Sequence, residues 1–123
     1  MSAKTKQQHV LIVGGSSGMG LALARQVLER GNNVTIAGRS TERLDQARGL
    51  LGNPAGLRTI AADITLEAEV ERLFRSTDDL DHIVSTAADV SGVYVLLPEM
   101  DMATARRVID SKVVAPILLA KHG

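Results

Sequence analysis

Three glycines stand at the spacing Gly14-x-x-x-Gly18-x-Gly20, inside Val13-Gly14-Gly15-Ser16-Ser17-Gly18-Met19-Gly20 and directly behind the apolar run Val10 to Val13. A segment so poor in side chains is either a flexible connection or a backbone that must come very close to something. An apolar run before it and a helical pattern after it place it at a strand-to-helix turn. There the backbone N–H groups and the positive end of a helix converge, and glycine removes the side chains that would hold an anion away. The chemistry that fits is the binding of a phosphate or pyrophosphate. The spacing is not the G-x-G-x-x-G fingerprint, and no Lys-Ser/Thr pair closes it as in a P-loop. For the glycines by themselves, a tight connection remains the alternative.

Other residue types with chemistry are sparse. Cysteine is absent, which removes disulfides, thiolate catalysis and zinc–sulfur sites together. His9, His82 and His122 are scattered, with neither metal-ligand spacing nor a nucleophile–base arrangement, so no metal is expected. Lys plus Arg and Asp plus Glu both number 14, and a net charge of zero gives no support for nucleic acid or an acidic membrane as partner. Phe74 and Tyr94 are the only aromatic residues, too few for a single-strand stacking platform. The polar start leads into four strongly apolar residues, against roughly 7–15 for a secretory signal and about 20 for a membrane span. A soluble, cytoplasmic globular protein is the expectation.

The patterning supplies the elements that must hold the glycine turn. A chain of 123 residues suits about one domain; residues 1–8 read as a flexible polar tail and 9–123 as the domain. His9–Val13 has the pattern of a strand buried on both faces. From Leu21 to Arg30, Leu23, Ala24, Val27 and Leu28 share one helical face, and Gly31-Asn32 stops the helix. Asn33–Gly38 reads as a second strand. Ser40 then caps a helix with Glu42 in its first turn and Leu44, Ala47 and Leu51 on its buried face. The cycle repeats with a strand over Leu57–Ala62 and a helix capped by Thr65 whose face is Leu66, Val70, Leu73 and Phe74. A strand over His82–Ala88, a loop through Gly92 and Pro98, and a helix from about Met102 follow. The alternation predicts an α/β fold: a Rossmann-type parallel sheet with helices on both faces, incomplete at about four strands. Right-handed crossovers give the order 3-2-1-4.

The stretch Val13 to Gly20 resembles the T-G-x-x-x-G-I-G loop of the short-chain dehydrogenases/reductases, and the resemblance covers essentially the whole chain as that family's N-terminal half. It implies that Gly14, Gly15, Ser16, Ser17, Gly18, Met19 and Gly20 cradle the phosphates of a nicotinamide dinucleotide. Gly38-Arg39-Ser40 ends the second strand, and Gly38 stands where NAD-type members carry Asp. A carboxylate there binds the ribose 2′-hydroxyl of NAD, whereas an Arg accommodates the 2′-phosphate of NADP through parallel charge-assisted hydrogen bonds. NADP(H) is therefore expected over NAD(H), with a solvated Arg at a strand end as the alternative. Asp63-Ile64-Thr65 resembles the family's D-[VIL]-T element. The resemblance implies that Asp63 accepts from the adenine amino group while the Ile64 N–H meets the ring, and Thr65 capping a helix is compatible with that.

Departures from the family pattern matter as much. Ser85-Thr86-Ala87-Ala88 replaces N-N-A-G; Ala87 and Ala88 still let the backbone approach the cofactor's ribose, but both Asn side chains are missing. Ile109-Asp110-Ser111-Lys112-Val113 takes the place of x-D-V-N-L, so Lys112 replaces the Asn that supports the family's proton relay. Lys112 shares a helical stripe with Val108, Ala115 and Leu119, and either snorkels to solvent or stands beside substrate or cofactor. The family's catalytic Ser and Tyr-x-x-x-Lys lie downstream of this region, and Tyr94 is followed four residues on by Pro98. Two functions follow. One is the cofactor-binding half of an NADP(H)-dependent oxidoreductase acting on a carbonyl or alcohol substrate, inactive as this chain alone. The other is a non-catalytic NADP-binding sensor or interaction module. Because the helical pattern still runs at Gly123 and the fourth strand lacks an outer neighbour, a truncated chain and a homo-oligomer are expected.

Overall fold

Residues 6–87 and 94–123 are described by the structure, a computed structural model. Strand β1 (His9–Val13) lies between β2 (Asn33–Gly38) and β4 (His82–Ser85), and β3 (Leu57–Ala61) pairs with the far side of β2. Every pairing is parallel and the order is β3-β2-β1-β4, as the alternation predicts. The register sets Val13 beside both Ala37 and Ser85, which brings the C-terminal strand ends to one edge of the sheet.

Side chains of β1 alternate between two cores. Leu11 and Val13 pack with Val70 and Leu73 of α3 (Glu67–Arg75) and Leu118 and Leu119 of α5 (Ala115–His122). Val10 and Ile12 pack with Ala24 of α1 (Gly18–Glu29) and Leu44 of α2 (Thr41–Leu50). Both layers are aliphatic, the only means open to a chain with one Phe and no Trp. No described helix is long and apolar enough to cross a membrane.

Several boundaries differ from the sequence expectation. Helix α1 begins at Gly18 rather than Leu21, because the glycine turn itself supplies the first helical residues. Thr65 does not cap α3. Its backbone N–H and hydroxyl both donate to Asp63 Oδ1, at 3.0 and 2.6 Å, which closes a local turn and leaves Leu66 at the cap position. Leu66 is consequently exposed, while Val70 and Leu73 are buried. Strand β4 ends at Ser85, and Ala88 and Gly92 lie outside the described residues. Within the polar start, Gln7 Nε2 donates to the Gly31 carbonyl at 2.8 Å and the Gln8 N–H to Asn32 Oδ1 at 3.0 Å. The chain is thus fastened to the α1–β2 turn before His9.

The last helical segment is not one continuous α-helix. Helix α4 (Met102–Ile109) passes through a π-helical turn over Asp110–Val114 into α5. At the end of α5, Lys121 Nζ and His122 Nε2 reach Glu67 Oε1 at 2.6 and 2.9 Å, and His122 stands 3.9 Å from Glu71. His122 is therefore part of a clasp between α5 and α3. The Lys121 hydrogen bond first, and that of His122 second, hold the Glu67 carboxyl below its ordinary range; Glu67 in turn raises the Lys121 ammonium.

Asp101 starts α4. Its carboxylate accepts the Thr104 N–H at 2.7 Å and the Thr104 hydroxyl at 3.0 Å, which buries Thr104. These two bonds, with the Arg107 charge as a lesser cause, hold the Asp101 carboxyl below the usual carboxylate range. A pKa lowered in the folded state contributes stability that is complete above the unfolded value and lost as pH falls through the folded one. Chemical denaturation from about pH 4 down to about pH 2 should show a steeper loss for the wild type than for Asp101→Asn, which keeps an acceptor but no charge. Parallel acid limbs for the two proteins would remove Asp101 from that dependence.

Candidate functional site

The C-terminal strand ends open onto a cleft of about 930 Å³. Val13, Gly14 and Ser16 to Met19 form its centre. Gly38, Arg39, Ser40 and Arg43 close one side, and Ala62 to Thr65 continue that wall from β3. Thr86 and Ala87 come from the end of β4, and Ala103, Arg106, Arg107, Asp110 and Ser111 from α4 and the π turn.

Close packing at the centre explains the glycines. Gly14 has φ +90 and Gly18 φ +58, the left-handed region that side chains avoid. A Cβ on Gly20 would stand 2.5 Å from the Gly14 carbonyl oxygen and 2.9 Å from Gly15 Cα, so α1 rests directly on the backbone it follows. A Cβ on Gly15 would meet Ile36 Cγ2 at 2.9 Å. Thr86 completes the joint: its N–H donates to the Val13 carbonyl at 2.9 Å, and its hydroxyl lies 3.3 Å from the Gly14 carbonyl.

Helix ends around the cleft differ in a telling way. Ser40 Oγ accepts the Arg43 N–H at 3.2 Å and so caps α2, as expected, and Glu42 sits in that first turn. Asp101 caps α4. Ser17 occupies the cap position of α1 in extended backbone but makes no side-chain cap bond, and no acidic residue stands in the first turn. The first N–H groups of α1 therefore open toward the cleft with no side-chain acceptor among the described residues, at the positive end of the helix dipole. Charged side chains lining the cleft are Arg39, Arg43, Arg106 and Arg107 against Asp63 and Asp110, an excess of cations in a chain that is neutral overall.

The residues singled out from the sequence largely converge here. Gly14, Ser16, Ser17, Gly18, Met19, Gly38, Arg39, Ser40, Asp63, Ile64 and Ala87 line the cleft. Gly15 and Gly20 are buried behind it, where they permit the packing rather than form the surface. Ala88 lies outside the described residues. Lys112 is not brought to the cleft: it is exposed within the π turn, and the extra residue per turn moves it off the stripe of Ala115 and Leu119, which are buried. Its neighbours Asp110 and Ser111 face the cleft instead. Sequence reasoning also missed Arg43, Arg106 and Arg107. Arg43 had a signal, since it follows Arg39 by four residues across the Ser40 cap. Arg106 and Arg107 had none, because only the tertiary placement of α4 brings them to the strand ends.

This fold and loop define a known class. The family model for short chain dehydrogenase matches residues 8–123, and the chain belongs to that family. A short chain dehydrogenase/reductase of Gibberella zeae is 32% identical over 115 residues, covering 90% of this chain and 42% of that protein. An NADP-dependent (R)-specific alcohol dehydrogenase of Lentilactobacillus kefiri is 29% identical over 104 residues, covering 85% of this chain and 41% of its own length. The solved structure of a short-chain type dehydrogenase/reductase from Mycobacterium ulcerans superposes with a TM-score of 0.85 at 27% identity, over 94% of this chain and 44% of that one. The chain thus spans less than half the length of these relatives.

The seating of α1 can be tested directly. Gly20→Ala forces backbone against backbone and should destabilise the protein by about 1–3 kcal/mol, the usual range for overpacking. Gly49→Ala, at a helical position with no atom within 4 Å of the added Cβ, should instead stabilise it by about 0.5–1 kcal/mol. Denaturant midpoints moving in opposite directions check this; a neutral Gly20→Ala would refute the tight seat.

Proposed function

We propose that the cleft binds a nicotinamide dinucleotide, NADP(H) in preference to NAD(H), and that this chain serves as the cofactor-binding half of an oxidoreductase acting on a carbonyl or alcohol. The observation that carries the proposal is the uncapped N-terminus of α1, opening between Gly14 and Met19 where α2 and α4 each spend a side chain on their own first turn. Those N–H groups fit a pyrophosphate, and the missing glycine side chains fit its close approach. Arg39 beside Gly38 suits the 2′-phosphate. Asp63 holds Thr65 with Oδ1, which orients the carboxylate for an adenine amino group, and Ile64 lies next to it in the same wall. Ala87 leaves room for a ribose. The Lentilactobacillus kefiri relative is an NADP-dependent enzyme, which supports the same choice.

When bound, the nicotinamide supplies hydride donation or acceptance at its C4. This chain's own residues bind and orient the dinucleotide. Proton transfer falls to the family's Ser and Tyr-x-x-x-Lys, which have no counterpart among the 123 residues. A second reading, a non-catalytic NADP-binding sensor or interaction module, is favoured by Lys112, which stands in solvent where the family places its relay Asn. Turnover of NADPH with carbonyl substrates would separate the two. A cytoplasmic location and self-association belong to the proposal as well: β4 is an edge strand with Ile83 exposed, and Ile117 is exposed on α5. Light scattering is expected to rise above the monomer mass with concentration, and a constant monomer mass would contradict it.

The nucleotide preference has a direct test. A Cβ added at Gly38 meets only Leu44 Cδ2, at an ordinary 3.7 Å contact. Gly38→Asp combined with Arg39→Asp should therefore act through charge. It is expected to weaken NADPH binding at least about tenfold more than NADH binding in fluorescence titration. Equal losses for the two nucleotides would sink the assignment.

A further inference from the structure

We propose that Glu67, Glu71 and His122 form a site for one divalent d-block cation of the zinc type, which staples the end of α5 to α3. None of the three lines the nucleotide cleft, so the inference stands apart from the function proposed for it.

Ligand type and geometry carry it. Glu67 and Glu71 are four residues apart on α3, so their side chains lie one turn apart on the same face. His122 reaches that face from α5: its Nε2 stands 2.9 Å from Glu67 Oε1 and 3.9 Å from Glu71 Oε1. One ligand atom from each of the three residues lies within 4.8 Å of the other two. Zinc bonds of about 2.0–2.2 Å in a tetrahedron place ligand atoms roughly 3.3–3.6 Å apart. The two His122 separations fall on either side of that range, so small side-chain adjustments close the shell around an ion. The donor set also chooses the cation. Imidazole suits zinc and its neighbours, whereas magnesium and calcium call for oxygen ligands throughout.

Packing holds the imidazole in place. The His122 side chain is 19% exposed, against 46% and 47% for Glu67 and Glu71. Leu118 and Leu119, just before it on α5, share a core with Val70 and Leu73 of α3. A Cβ on Gly123, just after it, would overlap Ile83 of β4 and stand 2.6 Å from the Leu119 carbonyl oxygen. The core therefore delivers His122 to the two carboxylates. Histidine spacing along the chain gives no sign of the site, because the imidazole and the carboxylates come from distant segments.

Lys121 is the group that opposes the cation. Its Nζ donates to Glu67 Oε1 at 2.6 Å and so neutralises one of the two carboxylates. A simple ion-pair clasp needs Lys121, whereas a cation site binds better without it.

The test is titration of the metal-stripped full chain with Co2+, read by visible absorption, and with Zn2+ in competition, for the wild type, His122→Gln, Glu71→Gln and Lys121→Gln. One Co2+ per chain is expected in the wild type, displaced by Zn2+ but not by an equal concentration of Mg2+. Glu71→Gln, which removes a half-exposed charge and keeps the side chain's shape, should weaken Co2+ binding about tenfold, and His122→Gln at least as much. Lys121→Gln should tighten it about threefold. Affinity left unchanged by both His122→Gln and Glu71→Gln, or no saturation of the wild type below about 1 mM Co2+, would overturn the proposal. Weaker binding in Lys121→Gln would overturn it too, since a cation site gains when a neighbouring positive charge is removed. Should His122→Gln fail to fold, Glu71→Gln and Lys121→Gln still decide, because both change exposed side chains.

Discussion

The seat of α1 on the end of β1 is the constraint on which the rest of the structure depends. Gly20 lies so near the Gly14 carbonyl and Gly15 Cα that no side chain can stand there. This contact decides where the helix begins, and so where its unpaired N–H groups open. Gly15 is pressed in turn against Ile36 of the neighbouring strand, and Thr86 at the end of β4 is held against Gly14. Three strands and a helix therefore meet at one joint. The aliphatic layers above and below keep that joint in place, and Val13, Ala62 and Ile64 of one layer also reach the cleft wall.

Electrostatics follow from the same joint. A helix that ended in a side-chain cap would satisfy its own N–H groups and offer less to an anion, as α2 and α4 do through Ser40 and Asp101. Helix α1 withholds the cap, and arginines from α2 and α4 stand around its open end. Net charge over the whole chain conceals this, because the described acidic residues other than Asp63 and Asp110 stand outside the cleft lining. Glu67 and Glu71, for example, gather Lys121 and His122 into the clasp between α3 and α5, remote in role from the cleft.

The π turn between α4 and α5 is the chief place where a regular pattern misleads. Counted at helical spacing, Lys112 belongs to the stripe of Ala115 and Leu119. One wider turn rotates it into solvent and aims Asp110 and Ser111 at the cleft. The Thr65 case is similar on a smaller scale. A threonine ahead of an amphipathic run reads as a cap, but Asp63 two residues earlier captures it first, because a carboxylate is the stronger acceptor within reach.

What the residues determine by themselves is whatever depends on near neighbours in the chain: the alternation of strands and helices, the Ser40 cap, the burial of Leu44 and Ala47, and the glycine turn. Right-handed crossovers extend that reach to the strand order β3-β2-β1-β4, since the hand is set by local chirality. Tertiary structure alone decides which side chains from distant segments share the cleft. Thr86 meets Gly14 across 72 positions, and Arg106 and Arg107 arrive only because Asp101 and the packing of α5 aim α4 over the strand ends. Their sequence neighbourhood carries no trace of this, because the contacts that place them are made by residues far away in the chain.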